Sequence, residues 1–289
     1  MTALEIHPLH PTFGAEITGV DIGGPIDDDT FARIRQAFEE HALLLFRDQD
    51  LDDEKQVAFS ERFGPLEKTF SQNPAGGTLF ARQSNLDIKT GETIPIEDAR
   101  MVYQRANMLW HTDSSFKRVP SLCSLLSARI VPPEGGNTDF ADMRAAYDAL
   151  PDATRQRLEG LAAEHSIAHS RAQVDPTLLS DYQKSVEAPP VKQLMVRANP
   201  VTGRKALFIG AHCSHVVGWP EEEGKRFVRH LMETAITPDI CYSHQWRVGD
   251  IVVWDNRSVL HKATPYDSKK YKRLMQRTTV AGDQPTVMQ

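Results

Sequence analysis

Two residues with metal-binding side chains lie two positions apart in the middle of the chain. His111 and Asp113 occur in Trp110-His111-Thr112-Asp113, and alternate residues of a strand point to the same face. An imidazole nitrogen and a carboxylate oxygen could therefore reach one divalent cation. A histidine from a distant strand would complete a 2-His-1-carboxylate set, which leaves three metal positions open for a chelating cosubstrate and O2 in non-haem Fe(II) oxygenases. The alternative is a strand-end pair that serves turns and caps.

His261 is a candidate for the second histidine. It ends the apolar return segment Val259-Leu260, which follows the strand-like run Ile251-Val252-Val253-Trp254 and a polar turn. A histidine in this position could bind the same metal. The alternative is a buried or rim histidine whose hydrogen bonds are satisfied without one.

Arg273 and Arg277 could bind anions. Residues four apart on a strand share one face and lie roughly 13 Å apart, and a guanidinium on an otherwise apolar strand can hold a carboxylate through two hydrogen bonds. Upstream, Gly135-Gly136-Asn137-Thr138 brings a hydroxyl to the start of a strand. The alternatives are surface salt bridges for the arginines and a turn or cap for the Gly-Gly segment.

Strands are the main elements that must position these side chains. Apolar runs predict strands at 41–47, 121–131, 138–143, 205–210, 241–246, 250–254, 258–261 and 273–281. Helical spacing after capping residues predicts helices from about 28 and 52, and further helices at 144–150 and 221–234. This content predicts a mainly β fold with flanking α-helices, a sandwich or jelly roll. Residues 66–107 carry a weak pattern and are predicted to form a long functional or mobile loop.

Composition excludes several classes of protein. The formal net charge is -6 and the pI is near 6.0, so there is no basic field to hold nucleic acid. No apolar stretch is long enough to span a membrane and no signal segment is visible, which predicts a cytoplasmic protein. The three cysteines, without a C-x-x-C motif, indicate reduced thiols. No linker divides the chain, so residues 1–289 are predicted to form one domain.

The order of these motifs resembles the TauD/TfdA family of Fe(II)/2-oxoglutarate-dependent dioxygenases. H-x-D, G-G-x-T, W-D-N-R-x-x-x-H and R-x-x-x-R follow one another along the chain. The resemblance covers nearly the whole sequence, and within the family it is strongest to the enzymes that act on 2,4-dichlorophenoxyacetate (2,4-D). The stretches that carry this likeness are 107–116 (NMLWHTDSSF), 142–151 (DMRAAYDALP) and 207–216 (LFIGAHCSHV).

The resemblance implies a double-stranded β-helix (jelly-roll) core and a role for each candidate residue. The implied iron ligands are His111, Asp113 and His261; the implied 2-oxoglutarate contacts are Thr138, Arg273 and Trp254; the implied substrate contacts are Arg277, His212 and Asn107. It also implies Fe(II) as cofactor, 2-oxoglutarate as cosubstrate and O2 as oxidant, and we expect a homo-oligomer.

One departure from the family pattern concerns the cosubstrate arginine. The family usually places this arginine eleven residues after the distal histidine, where this chain has Lys272, and Arg273 is twelfth. Because the spacing from Arg273 to Arg277 is kept, we expect a one-residue insertion before Lys272. If there is none, Lys272 would hold 2-oxoglutarate.

The predicted reaction is hydroxylation of the carbon next to the ether oxygen of an aryloxyalkanoate such as 2,4-D. The products would be a phenol and a 2-oxoacid, together with succinate and CO2. Two alternatives stay open: a dioxygenase of a sulfonate, alkyl sulfate or other small acid, since an arginine does not distinguish these anions, and a non-catalytic jelly roll that binds a metal or ligand.

Overall fold

The computed structural model of the chain describes residues 4–69, 77–178 and 189–287. Seven α-helices are described, each named here in chain order. They are α1 (Asp28–His41), α2 (Asp53–Glu61), α3 (Ala99–Arg105), α4 (Met143–Asp148), α5 (Asp152–Leu158), α6 (Ile167–Ala172) and α7 (Glu221–Ala235). None of the helices in these ranges has the length and apolar character that crossing a lipid bilayer would require.

Fifteen strands are described between and beside these helices. Their bounds are β1 (Glu5–Pro8), β2 (Ala15–Thr18), β3 (Leu43–Phe46), β4 (Ala81–Ser84), β5 (Cys123–Ile130), β6 (Thr138–Asp142), β7 (Ala162–His165), β8 (Val191–Leu194), β9 (Val196–Ala198), β10 (Lys205–Leu207), β11 (Cys213–Val216), β12 (Cys241–His244), β13 (Ile251–Asp255), β14 (Val259–Ala263) and β15 (Leu274–Val280). The predicted mainly β fold with flanking helices is confirmed.

Two of the sheets position the candidate residues. The larger has seven strands in the order β1-β2-β3-β13-β5-β15-β4, and a three-stranded sheet has the order β12-β6-β14. An apolar core joins them, with Leu126 and Trp254 from the large sheet and Phe140 and Val259 from the small one. Two further sheets are formed by β11-β7-β8 and by β10-β9.

Strand β3 is apolar at every position because both of its faces pack against other parts of the protein. Leu44 and Phe46 belong to the core under the helices, together with Phe38 of α1 and Phe59 of α2, whereas Leu45 belongs to the core between the two sheets. All four residues of β3 are buried. A strand buried on both faces reads as a continuous apolar run, which is the pattern the sequence shows.

The predicted loop at 66–107 is wrong over part of its length. The described part contains strand β4, which pairs antiparallel with β15 at the edge of the large sheet, and helix α3, which has no buried residue. The sequence Ala-Arg-Gln-Ser of β4 lacks the apolar alternation of a half-buried strand because the partner strand, not local propensity, determines it. Residues 70–76 of this predicted loop lie outside the described residues.

Candidate functional site

Backbone pairing brings the two candidate histidines together across 150 residues of chain. His111 forms an isolated antiparallel bridge with His261 of β14. The His111 N–H donates to the His261 carbonyl at 3.0 Å, and the His261 N–H donates back at 2.8 Å. Directly opposed residues hold their side chains on the same face, and the two ring centroids are 4.2 Å apart.

Asp113 completes a compact group of three metal-binding side chains. One ligand atom from each of His111, Asp113 and His261 lies within 4.8 Å of the other two. The Nε2 atom of His111 is 4.0 Å from one Asp113 carboxylate oxygen, and the Nε2 atom of His261 is 3.8 Å from the other. His111 Nδ1 is 2.8 Å from the Leu109 carbonyl, so it carries the ring proton and leaves Nε2 free to bind a metal.

Hydrogen bonds from neighbouring strands orient the Asp113 carboxylate. The hydroxyl of Ser124 donates to Asp113 Oδ2 at 2.6 Å, and the side-chain amide of Asn256 donates to the Ser124 hydroxyl at 3.0 Å. Asn256 is held in turn by the indole N–H of Trp254, which donates to its Oδ1 at 2.9 Å. Arg277 Nη1 forms a close ion pair with Asp113 Oδ1. Both carboxylate oxygens therefore have a donor that fixes their direction.

Burial and charge set these three groups in the protonation states that a metal requires. Burial lowers the pKa of His111 and lowers that of His261 well below its usual value, so both imidazoles are neutral at neutral pH. Burial alone would raise the pKa of Asp113, but the Arg277 guanidinium, the two neighbouring histidines and the Ser124 hydroxyl together outweigh it and hold the pKa well below its usual range. The group therefore offers two neutral nitrogens and one ionised carboxylate.

A cavity of about 200 Å³ opens beside this group. Seven of the nine predicted site residues line it, namely Asn107, His111, Thr138, Trp254, His261, Arg273 and Arg277. Asp113 is buried behind the cavity wall at 5% exposure and reaches the histidines from there. Three arginines and no carboxylate are among the lining residues, so the cavity suits anions.

Arg273, Thr138 and Trp254 line this cavity together. Arg273 is 7% exposed, and in the described residues no carboxylate lies within ion-pair distance of it. Its Nη2 donates to the Gly136 carbonyl at 3.3 Å, and burial lowers its pKa to about 10, so it stays charged at neutral pH. The Thr138 hydroxyl accepts the indole N–H of Trp246 at 3.0 Å, which leaves its own proton free to donate. Lys272, in contrast, is exposed, and its Nζ donates to the Gly91 carbonyl at 3.3 Å.

The predicted substrate contacts do not all reach the cavity. The Asn107 amide lies at its edge and donates to Gln83 Oε1 at 2.6 Å. Arg277 lies next to the metal-binding group through its pair with Asp113. His212 is 4% exposed, is not among the residues that line the cavity, and contacts the His111 ring edge-on at 6.1 Å between centroids. Burial lowers the pKa of His212 well below its usual value.

Several lining residues were not found by sequence reasoning. They are mostly on the weakly patterned segment before the H-x-D motif, and include Gln83, Ile96, Met101, Gln104, Arg105 and Met108; Leu126 and Tyr266 line the other walls. The Gln104 side chain fastens α3 to β4, since it donates to the Ser84 carbonyl at 2.9 Å and accepts the Ser84 N–H at 3.1 Å. No motif signalled these positions, because ligand-facing residues have no required period.

Comparisons with known proteins agree with this geometry. Residues 5–279 match the family model described as taurine catabolism dioxygenase TauD, TfdA family. The chain is 41% identical over 278 residues to an alpha-ketoglutarate-dependent 2,4-dichlorophenoxyacetate dioxygenase of Cupriavidus pinatubonensis, covering 95% of this chain and 96% of that protein. It is 39% identical to the (S)-phenoxypropionate/alpha-ketoglutarate-dioxygenase of Sphingobium herbicidovorans, covering 97% and 96%. The crystal structure of AAD-2 with Mn(II) and N-oxalylglycine superposes with a TM-score of 0.91 at 39% identity, over 100% of both chains.

Proposed function

Because the chain belongs to the TauD/TfdA family of dioxygenases, we propose that it is an Fe(II)- and 2-oxoglutarate-dependent dioxygenase of aryloxyalkanoates such as 2,4-D. The observation that carries this proposal is the buried group of His111, Asp113 and His261 at the wall of a cavity lined by arginines. The relatives named for 2,4-D and phenoxypropionate support the substrate class.

The donor set of the three residues fits Fe(II). Two neutral imidazoles and one carboxylate are the ligands of non-haem Fe(II) oxygenases, and they leave positions for 2-oxoglutarate and O2. Bound Fe(II) would supply the oxidation, in which O2 decarboxylates 2-oxoglutarate to succinate and CO2 and hydroxylates the substrate. The protein's share is to fix the ligands through Ser124 and Asn256, and to place the reactive C–H bond in a cavity with apolar walls.

Arg273 and Thr138 are proposed to hold the distal carboxylate of 2-oxoglutarate. Arg273 is a buried cation whose described partners are two backbone carbonyls at 3.3 and 3.4 Å, and a buried charge is stabilised by an opposite charge. Thr138 adds a hydroxyl donor, and Trp254 adds an apolar wall that lies 4.6 Å from the His261 ring between centroids.

Arg277 and Asn107 are proposed to bind the substrate anion, and for His212 a direct contact stays a prediction. Hydroxylation of the carbon between the ether oxygen and the carboxylate gives a hemiacetal. The hemiacetal then breaks at the bond between that carbon and the aryl ether oxygen. An aryloxyacetate, 2-oxoglutarate and O2 thus yield a phenol, glyoxylate, succinate and CO2. The anion contact matters because it places that one carbon toward the metal group.

The proposal also covers the sheet architecture, the number of domains, the cellular location and the oligomeric state. We infer that the two facing sheets form a double-stranded β-helix and that residues 1–289 are one domain, which the family match over residues 5–279 supports. A reducing, cytoplasmic location agrees with the three free cysteines. We also propose that the protein is a homo-oligomer and has no nucleic-acid or membrane partner. The mass of the purified protein in solution tests the oligomeric state.

The test is succinate release from the Fe(II)-loaded protein over a substrate panel. We expect turnover with 2,4-D and other aryloxyalkanoates to exceed turnover with taurine and alkyl sulfates by at least ten-fold, and 2-oxoglutarate consumption to match phenol formation. If taurine or an alkyl sulfate is turned over faster than 2,4-D, the result would favour the alternative of a sulfonate or alkyl sulfate dioxygenase. If O2 uptake is not coupled to 2-oxoglutarate, the result would favour the alternative of a non-catalytic jelly roll that binds a metal or ligand.

A further inference from the structure

The edge strand β4 brings one uncharged side chain beside Arg273 and Arg277, two of the three arginines that line the cavity. In the β4–β15 pairing, Gln83 is opposite Met275, and Ala81 is opposite Arg277. Since alternate residues on a strand share a face, Gln83 lies on the same face as Arg277 and diagonal to it, within reach of a long side chain. Gln83, Arg273 and Arg277 all line the cavity.

Both ends of Gln83 are fixed. Its backbone carbonyl accepts a hydrogen bond from Arg273 Nη1 at 3.4 Å, and its side-chain oxygen accepts the Asn107 amide at 2.6 Å. The neighbouring Ser84 is fastened to α3 by the two hydrogen bonds of Gln104. Within the described residues no partner is recorded for the two N–H groups of the Gln83 amide, so they are free to donate to a molecule in the cavity.

A substrate carboxylate in this cavity needs a donor besides Arg277. Part of the Arg277 guanidinium is already engaged by Asp113, and its Nε atom is buried without a hydrogen-bond partner. Nδ1 of His212 is also buried without a partner, and His212 does not line the cavity. Among the lining residues, the Gln83 amide has free donors on the Arg277 face of the edge strands.

We infer that Gln83 binds the substrate carboxylate beside Arg277, and that Asn107 acts as a positioning residue that orients the Gln83 amide. The inference rests on the proposed function and revises two of its substrate contacts, because Gln83 takes the place of both Asn107 and His212 as the second donor to the anion. A neutral amide adds hydrogen bonds without adding a cation. Arg273 is then left for 2-oxoglutarate and Arg277 for the substrate, while Arg105, the third lining arginine, is exposed and donates to the Ile96 carbonyl at 3.0 Å.

The experiment measures binding without turnover. The protein is loaded with Mn(II) and N-oxalylglycine, and 2,4-D is titrated in a calorimeter. Gln83→Leu should weaken 2,4-D binding roughly ten-fold or more, the effect of one hydrogen bond to a charged group, and Gln83→Glu should weaken it further through charge repulsion. Binding of N-oxalylglycine should change less than about two-fold in Gln83→Leu. The matched control is Gln156→Leu on α5, an exposed glutamine, which should bind both ligands as the parent protein does.

A second arm tests the role of Asn107. If Asn107 acts through Gln83, Asn107→Ala should weaken 2,4-D binding, and the double variant should bind no more weakly than Gln83→Leu alone. Fully additive losses would show that Asn107 contacts the substrate itself and would overturn its positioning role.

The results also separate this inference from the function on which it rests. Unchanged 2,4-D binding in Gln83→Leu, or an equal loss of N-oxalylglycine affinity, would overturn the role of Gln83 while leaving the proposed function standing. A parent protein that binds neither 2,4-D nor any other aryloxyalkanoate would overturn both.

Discussion

Replacing Arg273 by Met should weaken 2-oxoglutarate binding strongly, whereas the same change at Lys272 should not. The two positions are adjacent in sequence but differ in environment. Arg273 is 7% exposed inside the cavity, and Lys272 is exposed and bonds only the Gly91 carbonyl among its recorded partners, at 3.3 Å. Met keeps most of the side-chain volume in both variants, so the pair compares loss of charge at two sites.

The magnitude follows from burial of the charge pair. Removing one member of a buried ion pair costs about 3–5 kcal/mol, because the other charge stays buried without a partner. At about 1.4 kcal/mol for each factor of ten, the 2-oxoglutarate requirement should rise roughly hundred-fold to a few thousand-fold in Arg273→Met. An exposed ammonium contributes at most about 1 kcal/mol, so Lys272→Met should raise it no more than a few-fold.

Two assays separate this effect from damage to the fold. The first is the 2-oxoglutarate dependence of succinate release, and the second is the rise in Tm that N-oxalylglycine gives the Mn(II)-loaded protein, which reports ligand binding by mass action. Arg273→Met should lose the ligand-dependent rise in Tm while its Tm without ligand is unchanged or higher, since the variant no longer buries an unpaired cation. A larger effect of Lys272→Met in either assay would show that the cosubstrate contact is one residue earlier.

Five further substitutions probe the metal group and the core behind it. His111→Ala, Asp113→Ala and His261→Ala should each abolish turnover and reduce Mn(II) affinity with the far-UV spectrum retained; normal 2-oxoglutarate consumption with metal bound would refute the ligand set. Ser124→Ala should weaken Mn(II) binding about 10- to 100-fold, because Ser124 orients Asp113; unchanged metal affinity would remove that role. Burial lowers the pKa of His165 to about 3, below the unfolded value near 6.5, so the unfolded chain binds more protons between these values. The stability that neutral His165 provides above pH 6.5 is therefore lost as pH falls toward 3. In urea unfolding, His165→Phe should lose about 1.4 kcal/mol less per pH unit in this window than the parent, and an identical pH dependence would contradict this.

The sequence predicts those parts of the fold in which burial requires apolar residues at a regular spacing or in a continuous run. Helix α1 has an apolar face and is capped by Asp27, whose carboxylate accepts the Thr30 N–H, and both features are local. Strand β13 is buried at every position and reads as an apolar run. Strand β4 is polar and exists because β15 pairs with it, so its signal lies in another part of the chain, nearly two hundred residues away.

The same division holds within the site. The H-x-D motif keeps two ligands close through its short spacing, although His111 forms only an isolated bridge and Asp113 lies in a turn. The meeting of His111 with His261 depends on the pairing of two distant segments, which motif order suggests and spacing does not determine. The support of Asp113 by Ser124 and Asn256 depends on three segments at once. Serine and asparagine are common surface residues, so neither carries a signal by itself.

Residues that select the substrate are the hardest to predict for a physical reason. A core residue must satisfy the packing of its own element, and this requirement repeats along the element as a period. Gln83, Met101 and Met108 line the proposed substrate cavity, so their types would follow the shape and polarity of the bound molecule and need not repeat. They lie on β4, α3 and the turn after α3, in the segment whose pattern is weak. The metal and 2-oxoglutarate contacts stand on regular strands or next to them, and differences in substrate preference between this chain and its relatives should therefore map to residues 77–108 before they map to the strands.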